Sequence, residues 1–241
     1  MSKKASYKKQ EEQEQLLLNF KKVKLTEKQK QAIEIIKSNK ISVITGPPGT
    51  SKTFTACYAA LDLLKQGFCS KIILTKPLET IGSFNIGALP GTLSEKTDVY
   101  KECFIQNFNE IIEGRDIKML FEENTIEFKP VHFFRGITFS QSFVIVDEFQ
   151  SFDIKELMAI VTRLGKNNCK IIFLGDINQS DINKKYVGFN IFKKILKNVN
   201  NVGMFEFDKS DTMRDEILIT ILENYEKIQN EGDLTQTKNN S

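Results

Sequence analysis

The amino-acid sequence predicts an α/β fold in which a mostly parallel central sheet is covered by helices on both faces. Short apolar runs alternate along the chain with longer segments whose apolar residues recur at helical spacing. The runs are continuously apolar, as in parallel strands that are buried on both faces, and their alternation with helices favours helical crossovers. The predicted strands lie at residues 41–45, 72–74, 143–146, 170–174 and 202–207.

Capping and stop signals place the predicted helices between these strands. Thr26 is a favoured N-cap residue, and the helix that follows it carries Ile33 and Ile36 on one face. A second helix is predicted over residues 52–66, because Gly67 is a typical stop signal. Further helices are predicted at residues 94–113, 153–164, 189–198 and 211–228, the first with an apolar stripe of Val99, Phe104, Phe108, Ile111 and Ile112.

Length and charge indicate one folded domain with polar ends. The chain has 241 residues, of which 40% are hydrophobic and 27% are charged, enough to build a sizeable core. We predict a basic, flexible N-terminal arm over residues 1–24, a single domain over residues 25–229 and a disordered polar tail over residues 230–241. Residues 1–40 contain eleven lysines and five glutamates, a net charge of +6, so the rest carries −3 of the total of +3. Such an arm suits a phosphate backbone, although a solvated terminus explains the same lysines.

Several classes of protein are disfavoured by features that the sequence lacks. No apolar stretch approaches the roughly 20 residues of a membrane-spanning helix, and the lysine-rich start has no signal-peptide core. We therefore expect no membrane association and a cytoplasmic location. The four cysteines form no C-x-x-C pair, which argues against a zinc site or a disulfide framework. His132 lies between Val131 and Phe133 and is interpreted as a packed or partly exposed side chain rather than a ligand.

The most informative motif lies at residues 46–53, which read G-P-P-G-T-S-K-T and directly follow the first predicted strand. Seven of the eight positions match the phosphate-binding pattern G-x-x-x-x-G-K-[ST], a match that can by itself arise by chance. In this pattern Lys52 reaches the β- and γ-phosphates, the Thr53 hydroxyl holds Mg²⁺, and the following helix N-terminus favours negative charge. Ser51 replaces the last glycine, which allows close backbone approach and positive φ at low cost. The predicted nucleotide-binding residues here are Gly46, Pro47, Pro48, Gly49, Thr50, Ser51, Lys52 and Thr53.

Two further predicted strands end in polar groups, and in a parallel sheet these ends share one edge. One strand runs into Asp147 and Glu148, which can support Mg²⁺ and polarise an attacking water. The alternative is a buried strand followed by the acidic first turn of a helix. Another strand ends at Gly175 and Asp176, with Gln179 nearby, whose amide suits a sensor of the γ-phosphate. Chance poorly explains three strands that all end in groups suited to a magnesium nucleotide.

These motifs and others between them resemble those of a known family. Residues 76–79 read K-P-L-E, 87–91 G-A-L-P-G, 134–138 F-R-G-I-T, 162–165 T-R-L-G and 210–214 S-D-T-M-R. In this order, with the motifs above, they resemble the PhoH-like family, P-loop ATPases similar to the first motor domain of superfamily-1 helicases. The resemblance covers residues 25–228 and implies a RecA-like P-loop NTPase fold. Similar members occur in bacteria and in bacteriophages, and a phage-encoded protein would act in the host cytoplasm.

The resemblance also implies ligands. It implies ATP binding and a role on RNA or single-stranded nucleic acid, with Lys76, Pro77 and Arg135 as candidate contacts. For Pro77 and Arg135, a role in shaping the fold explains the residue equally well. The sequence departs from the family at Ser51, at Lys76, where arginine is more common, and at Ile137, where a basic residue is common. The first departure bears on nucleotide binding, and the other two bear on nucleic-acid contacts.

Three more residues take roles from the resemblance. Gln29 resembles the adenine-reading glutamine that precedes the P-loop in superfamily-1 motors, with an exposed helical glutamine as the alternative. Only four of the 34 basic residues are arginines, whose planar fork suits phosphate. Arg214 resembles the arginine that contacts the γ-phosphate, with a salt bridge as the alternative and Arg163 as a reserve candidate.

We predict an enzyme that hydrolyses ATP with Mg²⁺, coupled to RNA or single-stranded nucleic acid. In this prediction Lys52 holds the triphosphate, Glu148 activates water, Gln179 senses the γ-phosphate and Arg214 steadies the developing charge. The alternatives are a nucleotide-dependent binding switch with little turnover and, third, a small-molecule kinase. Because no second motor domain follows, we also predict a homo-oligomeric ring, for instance a hexamer, in which a neighbour supplies Arg214.

Overall fold

The computed structural model describes residues 18–78, 93–176 and 185–213, together with 217, 219–221 and 224, and only the backbone of residues 93–97 and 185–187. The strands are β1 (Ile41–Thr45), β2 (Lys71–Thr75), β3 (Ile126–Phe128), β4 (Ser142–Val146), β5 (Lys170–Gly175) and β6 (Val202–Glu206). The helices are α1 (Glu27–Ser38), α2 (Lys52–Lys65), α3 (Leu93–Ile111), α4 (Gly114–Glu122), α5 (Ile154–Val161) and α6 (Lys185–Leu196).

The strands form one sheet in the order β3-β2-β4-β5-β1-β6, and every pairing is parallel. This confirms the predicted fold class. Strand β5 lies between β1 and β4, so the strand that leads into the glycine-rich loop and the strand that leads into Asp147 are not neighbours. Because all strands run the same way, their carboxyl ends share one edge, where ligands bind in open α/β sheets.

Successive residues of each strand pack into two separate cores, one on each face of the sheet. Ile44, Ile72 and Ile145 point into the core covered by α1 to α4. Val43 and Val144 point into the core covered by α5 and α6. The second core is rich in phenylalanine rings, and burial on both faces explains why the strands read as continuous apolar runs. Its ring contacts, with centroids 4.8–6.1 Å apart, involve Phe149, Phe173, Phe189 and Phe192.

The predicted helices and strands occur with small boundary shifts. Thr26 caps α1 through a reciprocal capping box with Gln29, and Gly67 follows α2 with φ +70°. The prediction was wrong for Val99, which is 77% exposed on the outer face of α3, whereas the rest of the predicted stripe is fully buried. Strand β3, of three residues, and helix α4, of nine residues, were not predicted. Most of the predicted terminal helix over 211–228 lies outside the described residues.

The start of the described chain packs against the domain. Leu18 is buried, and the ring of Phe20 meets that of Tyr58 edge-on at 5.6 Å. The Lys21 amide donates to the Ile111 carbonyl at 2.8 Å. Residues 18–24 therefore lie with the domain rather than with a flexible arm, because their apolar side chains cover α2 and α3. The rest of the predicted arm, residues 1–17, lies outside the described residues.

Within the part of the chain that the structure describes, no helix is both long and apolar enough to span a membrane.

Candidate functional site

The glycine-rich loop closes over the carboxyl end of β1 through its own backbone. Gly46 adopts φ +151°, and a Cβ there would lie 2.7 Å from the Cβ of Phe207, so only glycine fits. The Lys52 Nζ donates to the carbonyls of Gly46 and Pro47 at 2.8 and 2.9 Å. The Thr50 hydroxyl donates to the Pro47 carbonyl at 2.9 Å. The loop is therefore a compact turn with its lysine folded across it.

Ser51 occupies the left-handed region, with φ 61° and ψ 29°, directly before α2. Its side chain makes no capping bond to the helix, and its carbonyl accepts from the amide and hydroxyl of Thr55 at 2.9 and 2.8 Å. Left-handed geometry costs an ordinary residue roughly 1–2 kcal/mol, which glycine avoids. The backbone therefore retains the conformation of the glycine pattern although the residue is serine.

We expect Ser51→Gly to stabilise the fold and to strengthen nucleotide binding or leave it unchanged. Relief of left-handed strain outweighs the extra entropy of an unfolded glycine, for a net gain of about 0.5–1 kcal/mol and a Tm rise of roughly 1–4 °C. Thermal unfolding and nucleotide titration measure both effects. Ser51→Ala is the matched control, since it keeps the strain and removes the hydroxyl. A marked loss of affinity in both variants would mean that the hydroxyl contacts the ligand.

Two oxygen ligands suited to Mg²⁺ meet beside this loop. The Thr53 hydroxyl donates a hydrogen bond to the Asp147 Oδ1 at 3.4 Å. Burial raises the pKa of Asp147 to about 6, aided by the nearby charge of Glu148 and opposed by Lys76 and Lys52. Mg²⁺ is usually held by one or two carboxylates, a few waters and substrate phosphates rather than by a protein cage. Thr53 and Asp147 therefore fit such an ion.

Glu148 is held at the mouth of the site by its neighbours. Its backbone is left-handed, with φ 52° and ψ 42°, and its amide donates to the Asp147 Oδ1 at 3.1 Å. Its carboxylate Oε2 accepts from the Nε2 of Gln150 at 2.5 Å. The partly buried carboxylate thus faces the same space as Lys52 and Thr53, where it can accept a proton from a water.

These groups line a cleft of about 370 Å³, so the structure brings together the predicted loop, metal and base residues. Three lining residues were not predicted for the site, and the first of them, Phe54, directly follows Thr53 in α2. Asn107 comes from α3, where it is hidden in sequence among the apolar residues of that helix. Asp176, noted only as the end of a strand, is buried at the end of β5. The lining residues are Pro48, Gly49, Ser51, Lys52, Thr53, Phe54, Asn107, Asp147, Glu148 and Asp176.

A second cavity of about 370 Å³ lies on the β6 side of the loop and shares Asp176 with the first. Lys28 of α1 forms ion pairs with Asp208 at 3.2 Å and with Asp211 at 3.7 Å, which brings the start of α1 to this side. The neighbouring Gln29 is buried rather than exposed, and its Oε1 accepts from the Thr26 amide at 2.8 Å. The cavity is lined by Gly46, Pro47, Asp176, Glu206, Phe207, Asp208 and Lys209.

The three candidate nucleic-acid residues differ in their position and burial. The amide of Asp147 donates to the carbonyl of Thr75 at 2.9 Å, so Lys76 follows beside the candidate metal site, and its charge opposes the rise in the pKa of Asp147. Pro77 is buried, whereas Arg135 is exposed. Phe133, two residues before Arg135, is 52% exposed, an unusual position for a large aromatic ring. Phe133 was not among the predicted nucleic-acid contacts.

The remaining predicted residues are separate from the cleft or lie outside the described residues. Arg163 donates to the Ile137 carbonyl at 3.4 Å and to the Thr162 hydroxyl at 3.2 Å, a local structural role. Gln179 and Arg214 lie outside the described residues, as does the run at residues 87–91.

The same architecture occurs among solved structures. The large terminase from a thermophilic bacteriophage matches 80% of this chain and 48% of its own, with a TM-score of 0.51 and 11% identity, a likeness of fold alone. Together with the loop and acidic strand, it defines a RecA-like P-loop NTPase fold, and the cleft at the sheet edge is the candidate nucleotide-binding site.

Sequence comparison gives the family. The PhoH-like protein family matches residues 22–226, and the chain belongs to this family. The PhoH-like protein of Synechocystis sp. is 35% identical over 206 residues, 85% of this chain and 62% of that protein. The PhoH-like protein of Bacillus subtilis is 34% identical over 200 residues, 83% of this chain and 62% of that protein. The chain thus spans less than two thirds of the length of these curated relatives.

Proposed function

We propose that this protein hydrolyses ATP with Mg²⁺ and that RNA or single-stranded nucleic acid modulates the reaction. The observation that carries the proposal is the position of Glu148, whose carboxylate lines one cleft with Lys52, Thr53 and Asp147. A base next to a phosphate-binding loop and a metal-binding pair is what water attack on a γ-phosphate requires.

The two cavities suit the two halves of the nucleotide. The triphosphate binds in the cleft around the loop, against Lys52 and the backbone amides before α2. The nucleoside occupies the second cavity, where Glu206 and Asp208 can accept hydrogen bonds from ribose hydroxyls. Gln29 directly follows Lys28, which is ion-paired with Asp208 of the second cavity. We therefore propose that Gln29 recognises the adenine.

In the proposed hydrolysis, each residue of the site has a separate role. When bound, Mg²⁺ supplies charge neutralisation to the phosphates, and Thr53 and Asp147 are the side chains that hold it. Glu148 orients a water and takes its proton, while Lys52 holds the β- and γ-phosphates. Gln179 as sensor and Arg214 as arginine finger complete the proposal from the family resemblance.

The second candidate is a nucleotide-dependent switch with little turnover. The strained left-handed conformation of Ser51 favours it, because backbone strain of this kind is found at ligand clamps and switch regions. Phosphate release from ATP, measured with and without single-stranded RNA, separates the candidates. Turnover stimulated by RNA supports the ATPase, tight binding without turnover supports the switch, and phosphate transfer to a small molecule would indicate a kinase.

We expect weak, salt-sensitive binding of single-stranded RNA or DNA at the sheet edge near Lys76, Arg135 and Phe133. An exposed ring beside an arginine can stack on a base, a contact worth roughly 1–3 kcal/mol. Phe133→Ala and Arg135→Ala should therefore each weaken binding by about 5- to 100-fold in fluorescence anisotropy at ~50 mM salt, where phosphate contacts are strong. Arg115→Ala, at an exposed arginine on α4, is the matched control. Unchanged affinity in both test variants would remove this surface from the proposal.

We expect the active form to be a homo-oligomeric ring whose subunits complete each other's sites. Arg214→Ala subunits mixed with Glu148→Gln subunits should then regain part of the hydrolysis that each loses alone. The alternative is action of Arg214 within its own subunit, because the amide of its neighbour Met213 donates to the Gly49 carbonyl at 2.9 Å. Light scattering gives the size of the assembly. A fully active monomer would contradict the ring.

A further inference from the structure

Gln150 connects Glu148, after the end of β4, with Asp176, after the end of β5, and both of these residues line the cleft. Its Nε2 donates to the Glu148 Oε2 at 2.5 Å, and its Oε1 accepts from the amide of Asp176 at 3.2 Å. Gln150 is 3% exposed; its bond with Asp176 is buried and its bond with Glu148 is part-buried. One buried amide thus links the candidate base to the end of the neighbouring strand.

The side chain of Gln150 is closely packed against Gly175 and Phe149. A Cβ on Gly175, the last residue of β5, would lie 2.4 Å from the Gln150 Oε1 and 2.8 Å from the ring of Phe149. The Gln150 Nε2 donates one hydrogen bond and the Oε1 accepts the other, which fixes the orientation of the amide group. A glycine at the end of β5 is therefore what admits the amide between the two strands.

The Glu148 backbone and carboxylate are held by different partners. The Glu148 amide is bound by Asp147, and the Glu148 carbonyl accepts from the amide of Ser151 at 3.0 Å. These bonds fix where the side chain starts. The bond from Gln150 acts at the far end of the side chain, on an oxygen of the carboxylate itself.

We propose that Gln150 is a positioning residue that aims the Glu148 carboxylate at the attacking water and couples that aim to the end of β5. The proposal rests on the proposed hydrolysis and adds a residue to it. Gln150 accepts no proton and touches no phosphate. It restricts the rotation of the Glu148 side chain, and a misplacement of about 1 Å in a reacting group can cost on the order of 10²-fold in rate.

The test compares Gln150→Ala, Gln150→Glu and the parent in steady-state ATP hydrolysis and nucleotide titration. Gln150→Ala should lower kcat by roughly 10- to 100-fold and leave nucleotide affinity within about twofold. Gln150→Glu keeps the length and the acceptor for Asp176 but loses the donor to Glu148, so it should lose at least as much. Gln66→Ala is the matched control, because Gln66 also donates to a carboxylate, that of Asp62 at 2.9 Å, away from the cleft.

A double variant separates positioning from a structural role. In a Glu148→Gln background, Gln150→Ala should lower kcat by less than about twofold, because residues that act as one unit are not additive. Equal losses in both backgrounds, or a kcat at the parent level in Gln150→Ala, would overturn the positioning role while hydrolysis by the parent still stands. Absence of hydrolysis in the parent would instead overturn the proposed function and, with it, this inference.

Discussion

Replacing Glu148 by glutamine is expected to slow ATP hydrolysis by roughly 10²-fold or more, the contribution typical of a general base. The amide keeps the shape of the side chain and still lines the cleft, but it cannot take a proton from water. Nucleotide binding should change little, because Lys52 and the loop amides hold the phosphates. Phosphate release and nucleotide titration on the same preparation measure the two effects.

The matched control for this prediction is Glu122→Gln, at an exposed carboxylate on α4 that pairs with Lys118 at 3.7 Å. The control should hydrolyse ATP at the parent rate. If Glu148→Gln also hydrolyses ATP at the parent rate, Glu148 is not the base and the water is activated elsewhere.

Replacing Lys52 by alanine is expected to weaken ATP binding by roughly 10²-fold. The ammonium group is the main cation of the loop, and a charge-assisted hydrogen bond to phosphate is worth about 1.5–3 kcal/mol. Hydrolysis at low ATP should fall at least as far, since the γ-phosphate also loses its charge partner. Isothermal titration with a non-hydrolysable ATP analogue reports the binding loss directly.

Lys52 has a second role that the titration must separate from the first. Its Nζ donates to the carbonyls of Gly46 and Pro47, so alanine can also loosen the loop. Lys118→Ala, at an exposed lysine far along the chain, serves as the charge control. A Lys52→Ala protein that keeps both its Tm and its ATP affinity would contradict the assignment of this loop to phosphate binding.

Local sequence predicted much of the candidate site because its motifs are local. Lys52 and Thr53 are adjacent to their strand, and Asp147 and Glu148 directly end another, so strand direction alone places them at one edge. Gln150 was visible only as part of the motif, because its role depends on the amide of Asp176, 26 residues away. Asn107 had no motif, since its position in the cleft depends on how α3 packs against α2.

Ser51 also shows the difference between what the sequence predicts and what the structure decides. The sequence shows serine at a glycine position, but it does not show which backbone conformation this serine adopts. In the structure the conformation is left-handed, with φ 61°. The carbonyls of the loop and the start of α2 fix the backbone there, and a single side chain does not change it.

The sequence by itself determined the parallel α/β fold, the glycine-rich loop and the order of the motifs, because continuous apolar runs and glycine spacing are local properties of the chain. The tertiary structure decided the strand order, the burial of Gln29 and Pro77, the exposure of Phe133 and the bridge through Gln150. These depend on which elements pack side by side, and the free energy of that packing is summed over residues far apart in sequence. A local sequence pattern does not contain this packing free energy. Contacts between distant segments can therefore be identified only in the folded structure.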